Sequence, residues 1–125
     1  MADLKELALT IVASVPSVDM KTAAKTILYT VPTGKTFYPF AVIVRSTSAS
    51  LAGGTEYDFG TGANADTWVQ NKDLSSMTTL STDFFVITAT TKLTNCAAGT
   101  EFGIKVITGS TAACTATIDV IGYLV

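Results

Sequence analysis

The sequence predicts an all-β chain, an antiparallel β-sandwich of seven or eight strands in jelly-roll arrangement. Three observations carry this. Short stretches rich in β-branched and aromatic residues recur along the chain, and such residues fit a pleated, half-buried surface. Glycine, proline and Asx clusters punctuate them at intervals of about 8–15 residues, the spacing of sandwich turns. No long segment carries the 3.6-residue apolar period of a helix. An open barrel is the second architecture the pattern allows.

The pattern is clearest at Thr26–Arg45. One strand is predicted up to Val31 and a second from Thr36 to Ser46, joined as a hairpin by Pro32-Thr33-Gly34. Pro32 is placed at the second position of the turn, and Gly34 tolerates φ > 0. Simple alternation puts Ile27, Tyr29 and Val31 on one face of the first strand. The second strand is apolar on both faces, Tyr38, Phe40, Val42 and Val44 alternating with Phe37, Ala41 and Ile43. That implies one face in the core and the other under an arm or a partner chain. Pro39 cannot donate to a ladder and marks a bulge or an edge.

Upstream, residues 1–24 read as an N-terminal arm on a sandwich domain of residues 25–125. Leu4, Leu7 and Ala8 suit a short helical turn, Leu9–Ala13 an edge strand, and Ser14-Val15-Pro16-Ser17 breaks either pattern. Downstream, Thr55–Phe59 alternates with Tyr57 and Phe59 inward and Glu56 and Asp58 outward. Thr67–Gln70 is a short strand, and Asp83–Ala89 a stronger one. In Thr100–Thr108, Phe102, Ile104 and Val106 face the core while Glu101 and Lys105 face water. The last strand, Cys114–Val125, sets Ala116, Ile118, Val120 and Leu124 against Thr115, Thr117 and Asp119.

Composition narrows the function. At 125 residues the chain suits one domain. A net charge of −2 offers no basic field for nucleic acid. No apolar run spans a bilayer, and the N-terminus does not read as a secretory signal. Charged residues make up 14% of the chain, against roughly 25% in ordinary soluble domains. A surface so poor in ions is expected to be partly covered by neighbouring subunits. The two cysteines, Cys96 and Cys114, flank one strand and are expected near its opposite ends, both free.

Catalytic constellations are missing. With no histidine there is no Ser-His-Asp arrangement and no common catalytic zinc site. Gly53-Gly54 and Gly60-Thr61-Gly62 lack phosphate-loop spacing. No cofactor is implied, and the chain is not expected to be an enzyme. Asp58, Asn64 and Asp66 border a glycine-rich loop; they could serve a hard cation, but their spacing matches no calcium loop and turn chemistry is the preferred account. Trp68 follows that loop near Tyr57, so Tyr57, Asp58, Asn64, Asp66 and Trp68 form a candidate sugar platform, while a lone Trp in a small sandwich more often plugs the core or a subunit interface. Phe37, Tyr38, Phe40, Val42 and Arg45 form the candidate subunit interface. Arg45 is placed either against an acid across that interface or at a solvated strand end.

Two stretches carry a resemblance. Leu28–Thr36 with Val42–Arg45, and the ending Asp119–Val125, resemble small β-sandwich structural proteins of tailed bacteriophages, of capsid decoration (cement), head-fibre or tail-accessory type. The resemblance implies a homo-oligomer, commonly a trimer, bound to other virion proteins such as the major capsid protein. It implies assembly in the host cytoplasm and residence in the virion. What matches is scaffold, so it assigns no functional residue. A carbohydrate-binding sandwich module is the alternative.

Overall fold

Eight antiparallel strands form two four-stranded sheets in a computed structural model that describes residues 8–80, 82–89 and 95–125. The strands are β1 (Thr10–Asp19), β2 (Lys25–Thr30), β3 (Phe37–Arg45), β4 (Glu56–Thr61), β5 (Val69–Lys72), β6 (Phe84–Ile87), β7 (Glu101–Thr108) and β8 (Thr115–Leu124). One sheet runs β1-β8-β3-β6 and the other β2-β7-β4-β5. No helix occurs among the described residues. The chain is a β-sandwich, as its turn-punctuated pattern requires. In chain order β1 pairs with β8, β2 with β7, β3 with β6 and β4 with β5, so the strands nest.

The core lies between the sheets. Phe37, from one sheet, meets Phe102, from the other, edge to face at 6.1 Å between ring centroids. Trp68 meets the same Phe102 at 5.5 Å and Tyr29 meets Phe37 at 5.3 Å, so four aromatic rings tie the layers together. Such pairs add to area burial, and each fully buried large side chain contributes roughly 1.5–3 kcal/mol. Tyr57, Phe59, Ile104, Ile118, Val42 and Val44 complete the middle of the core. Tyr57 satisfies its hydroxyl by donating to the Met20 carbonyl at 2.8 Å. At the open margin, Lys72 of β5 stands 4.7 Å over the Phe85 ring of β6.

Three expectations are corrected. First, β2 and β3 do not make a hairpin: β2 pairs with β7 in one sheet and β3 with β8 and β6 in the other. The turn between them forms, with the Lys35 amide donating to the Pro32 carbonyl at 3.1 Å and Gly34 at φ 77°, but it passes the chain between sheets. Pro32 is thus its first residue and not its second. Second, residues 10–19 are not an arm: the edge strand expected over Leu9–Ala13 forms and runs on to Asp19. They are strand β1, paired with β8, and Val18 and Met20 are core residues. The strand survives Pro16 because it lies on the sheet edge, where a missing donor is tolerated, and because its register slips between Val15 and Val18 with Ser17 at φ 57°. Of the helical turn expected at Leu4, Leu7 and Ala8, the two leucines lie outside the described residues, and Ala8 is exposed and irregular.

Third, bulges invert the faces of β2 and β3. A register shift between Ile27 and Tyr29 turns Leu28 into the core and leaves Ile27 46% exposed. Another, between Pro39 and Ala41, leaves Phe40 52% exposed at the bulge while Phe37, Val42 and Val44 all point inward. One inserted residue reverses the alternation downstream of it.

Candidate interaction surface

The two outer faces of the sandwich differ. On the β2-β7-β4-β5 sheet, register places Lys25, Lys105 and Asp58 side by side across three strands. Lys25 donates to the Gly62 carbonyl at 2.7 Å and Lys105 to Asn64 Oδ1 at 3.0 Å. Ile27 and Ile107 stand apart on this face, with the lysine row between them.

The outer face of the β1-β8-β3-β6 sheet is apolar along a diagonal. Pairing aligns Ile11, Ile121 and Ala41 in one row, Ile43 and Val86 in the next, and Arg45 and Phe84 in the third. Ile11 is 57% exposed, Val86 48% and Phe84 66%. Ile11, Ile121, Ile43, Val86 and Phe84 form a run across all four strands, with Ala41 buried (3% exposed) beside it, and an exposed apolar patch marks an interaction site more often than scattered residues do.

Beside the diagonal sits a fixed polar cluster. Arg45 Nε donates to Asp119 Oδ2 at 2.8 Å and Nη2 to Oδ1 at 3.2 Å, a two-pronged pair. Ser14 donates to Asp119 Oδ1 at 2.6 Å. The Arg45 guanidinium beside it, with the Ser14 hydroxyl, holds the Asp119 carboxyl below the usual carboxylate range, and Asp119 in turn raises Arg45. A shallow cavity of about 360 Å³ opens next to this pair, lined by Ile43, Arg45, Ser46, Thr82, Asp83, Phe84 and Asp119.

Of the expected interface residues, Arg45 lies on the outer face and Phe40 is exposed, while Tyr38 is half-buried. Phe37 and Val42 are core residues because the Phe40 bulge turns both inward, so they are withdrawn from the interface. Arg45 ends β3 with its side chain 43% exposed, as the strand-end reading has it, and its acid is Asp119 of the same chain.

The expected sugar platform does not exist as a surface. Trp68 and Tyr57 are buried in the core. Asp58 is 7% exposed, and its Oδ1 accepts from the Asn71 amide at 2.8 Å. Asn64 turns its carbonyl oxygen to the Lys105 ammonium, a poor neighbour for a metal ion, and Asp66 is half-buried. Among the described residues no group of three His, Cys, Asp or Glu side chains is placed to hold a metal. Cys96 and Cys114 are free and buried, and burial pushes the Cys96 thiol up to about 11.

Ser14, Asp119, Phe84 and Val86 were not singled out from sequence as surface residues that act together. The available signal was the alternation of Phe84-Phe85-Val86-Ile87, which sets Phe84 and Val86 outward once Ile87 is placed in the core. The chain matches no family model, no curated protein and no solved structure.

Proposed function

We propose that the chain is a non-catalytic structural protein that assembles with copies of itself through the outer face of the β1-β8-β3-β6 sheet. The observation that carries this reading is the contrast between the two outer faces: one is crossed by a lysine–aspartate row, the other by the Ile11–Ile121–Ile43–Val86 diagonal. The Arg45–Asp119 pair on the apolar face is neutralised within the chain, so a second copy seated there meets no net charge of the same sign from it. Closed symmetry is the usual outcome when identical subunits share such a patch.

A setting in the virion of a tailed bacteriophage, as a decoration or head or tail accessory protein bound to a major capsid protein, rests on the resemblance at Leu28–Thr36, Val42–Arg45 and Asp119–Val125. The nested pairing of the eight strands supports the jelly-roll part of that reading, since it is the wiring a jelly roll has. A trimer is expected on the same resemblance.

Light scattering on the purified protein tests self-association. The expected mass is a small multiple of the single chain at tens of micromolar, and Ile11→Asp, on a side chain already half in solvent, shifts it to a monomer that still melts cooperatively, its melting temperature lower only by the stabilisation that assembly supplies. A monomeric wild type overturns the proposal, and so does an Ile11→Asp oligomer of unchanged size.

A further inference from the structure

We infer that the cavity beside Phe84 is a binding site for one neutral pyranose unit of a glycan. It lies where β3 ends and β6 begins, at the corner of the face diagonally opposite Ile11, and shares Ile43 with the diagonal on which copies are proposed to meet. Its volume of about 360 Å³ takes a single ring with bridging waters, not an extended chain or a large cofactor.

Its lining has the two chemistries a sugar requires. Phe84 sits opposite Arg45 on the sheet with 66% of its surface free, offering a flat apolar ring to the C–H face of a pyranose. Arg45 and Asp119 set a donor beside an acceptor, and vicinal hydroxyls, each both donor and acceptor, match that arrangement. The pair is already locked by its two bonds and by Ser14, so little side-chain freedom is lost on binding. Asp83 is also fixed: its Oδ2 accepts from the Thr78 and Thr79 amides at 3.0 and 2.9 Å. Thr82 and Ser46 add hydroxyls at the rim. One guanidinium faces two carboxylates here, so the lining carries a net negative charge and disfavours uronates, sialates and phosphates.

The experiment is an NMR titration of the whole protein, isotope-labelled, with methyl glucoside, methyl galactoside and methyl mannoside in turn. At least one is expected to move the Phe84 amide and Arg45 Nε resonances, saturating with a Kd on the order of millimolar, the range open to a single ring. Phe84→Ala is expected to weaken that binding about tenfold or more, while Phe84→Tyr retains it. Both variants alter an exposed ring and melt like the wild type. Methyl glucuronide is expected to leave the spectrum unchanged. No response to any of the three neutral sugars at about 100 mM, a hundred times the expected constant, overturns the inference. A response indifferent to Phe84→Ala, or stronger binding of the glucuronide, also overturns it. Repeating the titration on Ile11→Asp separates the two readings: sugar binding there is expected unchanged, whatever that variant does to self-association.

Discussion

Asp119 joins three roles in one carboxylate: it pairs with Arg45, accepts from Ser14 and lines the cavity. Its folded pKa lies below the ordinary value of 3.8, first through the Arg45 hydrogen bond. A depressed pKa means the stabilisation is fully present above the unfolded value and is lost as pH falls through the folded one. Asp119→Asn is therefore expected to melt below the wild type at pH 7, with the gap closing as pH drops below about 4. A gap that is constant from pH 7 to about 2.5 counts against the ion pair as its cause. Gly122 is the second residue to test, for a steric reason. A Cβ there would run into the Tyr38 carbonyl and the Phe37 ring, at the point where β8 passes β3. Gly122→Ala is expected to cost about 1–3 kcal/mol in urea denaturation, the range for forcing a methyl into a packed site.

At the scale of the element, β1 decides what the first twenty residues are for. An arm can be removed and leave a folded sandwich, but β1 covers the edge of β8 and supplies Val18 to the core, with Met20 just beyond it. Deletion through Met20 is expected to abolish the cooperative thermal transition seen by circular dichroism, and a truncated chain that still melts cooperatively refutes that role. Trp68 separates core from surface in the same way: Trp68→Ala is expected to cost about 3–5 kcal/mol of stability while leaving the Phe84 cavity intact. Strands β4, β7 and β8 were legible in the sequence with their faces, because Tyr57 and Phe59, Phe102 to Val106, and Ala116 to Val120 alternate without interruption. The faces of β2 and β3 were not, because each carries a bulge and a two-residue period cannot register an extra residue. The Pro32–Gly34 turn was legible as a turn, but its chemistry is the same whichever sheet receives the next strand. Arg45 was legible as a singular charge in an apolar strand. Its partner was not, since Asp119 is 74 positions away and only the register of β3 on β8 brings them together.

For the whole molecule, the two outer faces differ in chemistry. The core is shared, while the polar face of one sheet and the apolar face of the other give the sandwich a front and a back. On the proposed reading, copies meet along the Ile11–Val86 diagonal of the front, and the inferred sugar site lies at its Phe84 corner.

The nesting of the strands also sets an order in time. Phe59 meets Val69 across a short loop, whereas Thr10 meets Gly122 across nearly the whole chain. Closing the outer pair first means ordering the longest loop with nothing to hold it. Once an inner pair exists, each further pair adds a small increment, since a doubling of loop length costs only about 0.6 kcal/mol. Refolding is therefore expected to start at the β4–β5 tip and travel outward, with β1 docking on β8 last. Phe59→Leu should slow refolding, and Val18→Ala should mainly speed unfolding. The reverse assignment of those two rates would mean that the strand farthest from the tip leads.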